Sequence, residues 1–414
     1  MIIKKGKPLT VYEHQSVKVG QDVGGVLFER KHLDALERFY GSGVPYFSLI
    51  HNGVKFNEYV GVIHVGNLTI EVLPKADQGN DSEKWRTVLL GMLRVVGVFD
   101  IAAPSCATLK LKSNSILDLY LELFTIEVEA LLHRGLVKRY RKEKNNVTAL
   151  KGCIQFSTHI RRNIVHKERF YVRHTVYDQD HLLNRILYKA INVIQSVNSN
   201  PVLTSRIGAL LLSFPQVQDC RVTTEQFDRI VYDRKTEPYR KAISIAKLLL
   251  LNYHPDIVSG TENVLAIMFD MNVLWERFVY RSLQRFNIRG MTIESQSIKD
   301  FWKPDQGSKV KMRPDIVINR NKSDCMVLDT KWKTLNGGNP SPEDLRQMYV
   351  YSVYYNACHT ALVYPGIFDS NIQGSYYNLD NVLGKKSCGI ITLQVEEHVS
   401  HWQRGIASKI LEIL

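Results

Sequence analysis

Within "MRPDIVINRNKSDCMVLDTKWK", residues 312–333, three charged residues lie in runs that read as strands. The runs are Arg313–Asn319 and Cys325–Trp332, joined by the polar turn "RNKSD", and the charged residues are Asp315, Asp329 and Lys331. Charge is disfavoured at strand positions unless it faces water or does chemistry. Strand side chains repeat with a period of two, so Asp329 and Lys331 share a face, and the hairpin brings Asp315 beside them. Two carboxylates and one ammonium at a sheet edge are the parts that phosphodiester hydrolysis needs. Carboxylate oxygens suit Mg²⁺, a hard ion that keeps water and phosphate oxygens in its shell and lowers the pKa of a bound water. On this reading Asp315 and Asp329 are metal ligands, the Thr330 carbonyl is a third, and Lys331 lies beside the attacking water. The expected cofactor is Mg²⁺, with Mn²⁺ as a substitute. The plain alternative is a solvated strand face. The chain holds a second acid-x-lysine, Asp233-Arg234-Lys235, with no upstream Pro-Asp and no strand pairing, and that one reads as surface.

Three neighbours extend the constellation. Glu276, in "LWERF" on a helix ahead of the strands, can point back as a further metal or water ligand, or can pair with Arg277 or Arg281 at the surface. Gln347 and Tyr351 in "RQMYVYSVYY" are four apart and share one face of the helix after Lys331, though Tyr351 would serve equally as core.

The elements that position these residues fall into three stretches. Residues 1–76 are short β-branched runs with glycine punctuation, including a hairpin over Tyr59–Leu73 that turns at Gly66-Asn67, and they end in the polar linker "KADQGNDSEK". Residues 77–260 change to helical periodicity, as in "SILDLYLELFTIEVEALLHRGLVKRY" and "DHLLNRILYKAINVIQSV". Residues 261–414 predict an α-β-β-β-α-β-β-α order around a mixed sheet, beginning with one helix over Asn263–Phe286. The fold class is therefore α+β and multidomain: a small β-rich N-terminal domain, an α-helical middle region and a C-terminal α/β domain.

Composition limits the partners. The chain has 414 residues, a formal net charge of +13 and 44% hydrophobic residues, which fits a globular protein with a polyanionic partner. The most apolar run, Val88–Pro104, carries Arg94 and Asp100 and reads as a buried helix, so nucleic acid is favoured over a membrane. Six scattered cysteines without ligand spacing argue against a zinc module and fit a reducing, cytoplasmic setting. Between His133 and Arg173 the positive residues include Arg134, Lys138, Arg139, Arg141, Lys142, Arg161, Arg162, Lys167 and Arg169, against Glu143 and Glu168 alone. Such a run can neutralise several phosphates, or meet an acidic protein surface; the plain alternative is a solvated helix end and loop.

At these residues the sequence resembles the PD-(D/E)xK nuclease superfamily, in the branch with a Gln-x-x-x-Tyr helix after the lysine. More narrowly it resembles the McrC family of modification-dependent McrBC restriction systems. The resemblance rests on "YVGVIHVGNLTIEVLPK", "LKGCIQF", "LLNRILYKAI", "RPDIVI…LDTKWK" and "DLRQMYVYSVYY", in that order. It implies that the C-terminal domain is a PD-(D/E)xK endonuclease. It also implies a hexameric McrB-like AAA+ GTPase partner that binds GTP, and double-stranded, modified DNA as substrate. No G-x-x-x-x-G-K-[ST] loop occurs here, since "LGKKS" lacks the first glycine at the required spacing. Two readings follow: an Mg²⁺-dependent endonuclease subunit driven by a GTPase, or a non-catalytic adaptor that grips DNA and mainly stimulates the ring.

Overall fold

Alternating Val and Ile make Tyr59–Val65 and Leu68–Leu73 an antiparallel pair in the computed structural model, as their pattern predicts. The structure describes residues 8–41, 43–66, 68–76, 81–97, 115–254, 263–287, 290–335, 339–378 and 380–412. The hairpin turn includes Gly66, at φ 57°, while Asn67 lies outside the described residues. Leu9–Tyr12 adds to Leu68–Leu73 in parallel, and the strand Val264–Asp270 lies on the far side of Tyr59–Val65. The approach there is close. A Cβ at Gly61, whose φ is 141°, would fall 2.1 Å from the Ile267 carbonyl oxygen, so only glycine fits.

Contacts group the chain differently from sequence order. Among the described residues, those within 8–97 pack with those within 266–412 as one unit, and those within 115–265 form the other. The single helix expected over Asn263–Phe286 is two elements. Val264–Asp270 is a strand, and a helix, α1 (Met271–Arg285), starts only after Asp270, whose carboxylate accepts the Asn272 and Val273 N–H groups as an N-cap. "VLAI" at its start is buried in a sheet interior, where a strand has no polar alternation to distinguish it from a helix.

After α1 come β1 (Ile293–Ser295), β2 (Lys299–Trp302), β3 (Val310–Met312), β4 (Ile316–Ile318) and β5 (Met326–Thr330). Then follow α2 (Pro342–Tyr354), β6 (His359–Gly366), β7 (Ser370–Tyr377), β8 (Leu383–Gln394) and α3 (Val399–Leu411). Six strands form one mixed sheet in the order β1-β4-β5-β6-β8-β7, parallel only at β5-β6 and β6-β8. The ribbon β2-β3 and the edge strand β7 were not expected from the sequence; both are rich in exposed polar residues. On one face Val317, Val327 and Leu362 pack with Met348, Tyr351 and Tyr355 around α2. At α1 and α3 the rings of Trp275, Phe278 and Trp402 stack, with Trp332 5.5 Å from Trp275. These buried aromatics fix the helices on the sheet.

The other unit is helical except for one long arm. Ile116–Arg134, Leu182–Val197, Pro201–Ser213 and Arg240–Leu251 are its main helices. The helix expected to continue to Tyr140 stops at Gly135, φ 83°, and Arg139–Val147 instead pairs antiparallel with Phe170–Asp178. Ser82–Val96, in the first unit, is helical as expected, and residues 98–104 of the apolar run lie outside the described residues. Among the described residues no helix is long and apolar enough to cross a membrane.

One buried acid ties the first strands to the later sheet. Glu13 is 8% exposed, and its Oε1 accepts the Trp332 Nε1–H at 2.7 Å and the Lys75 N–H at 2.9 Å, while Oε2 has no partner. Burial pushes this carboxyl up to about 7. Because its folded pKa lies above the usual 4.5, its stabilising share is complete below that pH and is lost as pH rises through about 7. Glu13→Gln keeps the shape and an acceptor without the charge. In thermal melts it should flatten the loss of stability between those pH values and gain about 3 kcal/mol relative to the parent at pH 8.

Candidate active site

The register of β4 on β5 decides the geometry. Ile316 pairs with Leu328, so one position further Asp315 lies opposite Asp329, on the same face as Val317 and Val327. That face is covered by α2. The site therefore lies at the C-terminal end of β5, a central strand, and not at the sheet edge that the sequence reading expected.

Asp329 is 2% exposed. Its Oδ1 accepts from Gln347 Nε2 at 3.3 Å, and the same amide donates to the Tyr351 hydroxyl at 2.9 Å. The helical spacing of four thus puts both residues at the carboxylate, and Tyr351 is also core. Lys331 Nζ lies 2.7 Å from Asp329 Oδ2 as a charge partner, but that buried oxygen has no aligned hydrogen-bond donor. The pair is ionic in character, because the distance is short while the direction is poor. Burial and the charge of Asp315 push Asp329 up to about 6. Burial alone would lower Lys331; the carboxylates of Asp329, Asp344 and Asp315 outweigh it and raise the ammonium's pKa.

Asp315 is pinned from the neighbouring strand. Its Oδ2 accepts from the Thr330 N–H at 2.7 Å and from Thr330 Oγ1 at 2.8 Å. Burial still holds its pKa above the usual carboxylate value. The backbone around Thr330 carries a second consequence. Lys331 N–H donates to the Val363 carbonyl on the β6 side, so the Thr330 peptide groups turn toward β4. The continued register places Pro314 opposite Thr330, and a proline has no N–H to offer the Thr330 carbonyl.

Glu276, on α1, accepts from Gln296 Nε2 at 3.0 Å rather than pairing with Arg277 or Arg281. Burial, then the charge of Asp315, raises it to about 7. Gln296 has φ 50°, a left-handed backbone unusual for a residue with a side chain, and its N–H donates to the Asp315 carbonyl at 2.8 Å. One strained residue therefore bridges Glu276 and Asp315. Neither Gln296 nor Asp344 was marked in the sequence. Asp344 lies 3.8 Å from Lys331 and 2.6 Å from Lys333; its burial is outweighed by Lys333, Ser341 and Lys331, which hold its pKa down. The signal for Asp344 was its place one turn before Gln347 on the proline-started helix. Gln296 had none, because a left-handed glutamine leaves no pattern.

The predicted cationic residues belong to the other unit. Arg134, Lys138, Lys142, Arg161, Arg162, Lys167 and Arg169 are exposed, on or beside the arm formed by Arg139–Val147, Phe156–Arg162 and Phe170–Asp178. Part of the charge is committed: Arg141 pairs with Asp178 at 2.8 Å, Arg139 with Asp233 at 3.3 Å, and Arg162 lies over the Tyr171 ring. Asp178 and Asp233 lie beyond the basic run, which is why its sequence density overstates its free charge.

Among the described residues no group of three or more His, Cys, Asp or Glu is gathered to hold a metal by itself. The donor set fits an ion that takes few protein ligands: two neighbouring carboxylates, one buried carboxylate oxygen with no aligned hydrogen bond, and a carbonyl facing a proline.

The family described as McrBC 5-methylcytosine restriction system component matches residues 54–365. The chain belongs to that family, as an McrC-type member. It is 23% identical over 226 residues to the Type IV methyl-directed restriction enzyme EcoKMcrBC of Escherichia coli K12, an alignment covering 53% of this chain and 65% of that relative's length. The fold matches a chain of the refined half-complex from a tetradecameric assembly of Thermococcus gammatolerans McrB AAA+ hexamers with bound McrC. There the TM-score is 0.74 at 21% identity, over 99% of this chain and 100% of that one. A chain of the Thermococcus gammatolerans McrBC complex determined by cryo-EM matches at TM-score 0.51 and 22% identity, over 67% and 88%. In this McrC-type chain the family match spans Asp315, Asp329, Lys331 and Tyr351 alike.

The double donation of Thr330 to Asp315 is directly testable. Thr330→Val keeps the N–H bond and removes the hydroxyl bond to a charged acceptor, which should cost about 1–2 kcal/mol in urea unfolding with an unchanged m-value, and Thr330→Ser should recover most of it.

Proposed function

We propose that this chain is the Mg²⁺-dependent endonuclease subunit of a GTP-driven, modification-dependent restriction complex, and that its C-terminal domain is of the PD-(D/E)xK type. The observation that carries the reading is the placement of Asp315 and Asp329 on one face, with Lys331 2.7 Å from Asp329 and Gln347 holding its other oxygen. A solvated strand face would leave these groups wet; Asp329 is instead almost wholly buried. Burying two carboxylates together is costly without a cation to balance them.

Asp315, Asp329 and the Thr330 carbonyl would hold the ion, with Mn²⁺ able to replace Mg²⁺. When bound, the ion supplies Lewis acidity toward a phosphate oxygen and a water of lowered pKa. The chain's own residues supply the rest. Thr330 and Gln296 fix Asp315, Gln347 and Tyr351 fix Asp329, and Lys331 offsets negative charge as it grows on the phosphate. Glu276 can hold a proton near neutral pH on the Asp315 side of the site. The basic arm of the other unit is assigned to the DNA backbone or to an acidic face of the partner.

The partner is proposed to be a McrB-like AAA+ GTPase hexamer, with GTP bound there and not here, and the substrate to be modified double-stranded DNA. The McrB hexamers with bound McrC among the related structures support this, as does the lack of a phosphate-binding loop in the sequence. The deciding experiment is cleavage of methylated and unmethylated duplex with Mg²⁺ and GTP, with and without the AAA+ protein. Cleavage should require all of these components and stop on chelation; no cleavage of either duplex by the full mixture would end the proposal. Asp329→Ala should lower cleavage by about three orders of magnitude or more while GTPase stimulation stays within about twofold. Equal loss of both would make the residue structural and favour an adaptor. Arg161→Ala with Arg162→Ala should weaken DNA affinity and reduce its salt slope by about two, and an effect on partner assembly alone would assign the arm to protein.

A further inference from the structure

The ribbon β2-β3 is joined to the site at both ends. Gln296, which bonds Asp315 and Glu276, lies just before it, and Asp315 lies just after it. It is a separate two-stranded sheet, paired Lys299 with Met312 and Trp302 with Val310. Such ribbons are marginal alone, and this one is clamped at its base: Phe301 packs edge-on to Tyr354 at 5.3 Å, the Lys299 ammonium donates to the Tyr354 carbonyl, and Tyr355 donates to the Ser297 carbonyl at 2.6 Å. Beyond the clamp it faces solvent. Trp302 is 58% exposed and makes no ring contact among the described residues. Lys303, Lys311 and Arg313 are exposed and form no ion pair within 4 Å among those residues. Lys309 pairs with Asp300 across the ribbon. An exposed tryptophan on the same ribbon as three cations without ion pairs, joined in sequence to the candidate active site, marks a binding surface.

We propose that β2-β3 is the nuclease unit's own DNA-contacting element, with Lys303, Lys311 and Arg313 on backbone phosphates and Trp302 against the bases or sugars, holding the strand over Asp315 and Asp329. This rests on the nuclease reading above. Charge complementarity selects the occupant: the segment from Ile298 to Arg313 carries Lys299, Lys303, Lys309, Lys311 and Arg313 against Asp300 and Asp305, so a second copy of the same surface would be repelled while a polyanion is attracted. The shape agrees, because a two-stranded ribbon fits the major groove of a duplex.

The test uses the full chain with Asp329→Ala, which binds without cutting, and an unmodified duplex followed by fluorescence anisotropy across salt concentrations. Lys303→Ala with Lys311→Ala should weaken binding roughly tenfold at low salt and reduce the salt slope by about two. DNA should quench the tryptophan fluorescence of the Asp329→Ala parent, and Trp302→Phe should remove that quenching. Unchanged affinity, slope and quenching in variants that melt with the parent would overturn the assignment. So would a lower oligomeric mass by light scattering with DNA binding intact, which would make the ribbon a contact between copies. Failure of the intact complex to cut DNA would overturn the nuclease reading instead and leave the binding result standing.

Discussion

The structure depends on a repulsion that the fold imposes. The pairing of Ile316 with Leu328 sets two carboxylates across from each other at the end of a central strand, under a helix that excludes water. Every neighbour then acts on that charge. Thr330 gives two donors to Asp315, Gln347 gives one to Asp329, and Lys331 brings a full positive charge to the oxygen that has no aligned donor. Even so, burial and mutual repulsion keep Asp329 near 6. In the proposed reading a cation at this site would return, in coordination, the free energy lost on ionising Asp329.

The ammonium is itself placed by competition. Lys331 lies between Asp329 and Asp344, while Lys333 takes the other oxygen of Asp344. Asp344 is therefore more than a helix-start residue: with its carboxylate partly satisfied by Lys333, Lys331 stays oriented on the Asp329 side. The raised pKa of Lys331 means that it remains charged through the neutral range, so in the proposed reaction it would act by field and direction and not as a proton donor.

What could be read from the sequence follows the two periodicities. Period two put Asp329 and Lys331 on one face, and the spacing of four put Gln347 and Tyr351 together; both are local and survive any tertiary setting. Asp344 obeyed the helical rule too, three residues before Gln347, but was not marked because acids in a first turn are common for electrostatic reasons of their own. The strand Val264–Asp270 was hidden because a strand buried on both faces has no alternation to display. The ribbon β2-β3 was hidden for the opposite reason: nearly all its residues are exposed, so lysines and aromatics follow one another without period. Gln296 depends on a backbone angle that no residue type announces.

The most distant dependence is also the least local. The segment that leaves β5 and bears Lys331 is held by Trp332, whose indole donates to Glu13, 319 residues earlier in sequence. Glu13 is in turn fixed by the Lys75 N–H, at the end of the strand Leu68–Leu73. The early β segment is thus part of the site's support, since Trp332 follows Lys331 by one residue and its ring packs against Trp275 on the helix that carries Glu276. A contact of such sequence separation forms only after both ends of the unit are in place. The local hairpin β4-β5 can bring the carboxylates near each other early, but their final geometry requires the segment that carries Glu13 and Lys75 to have docked.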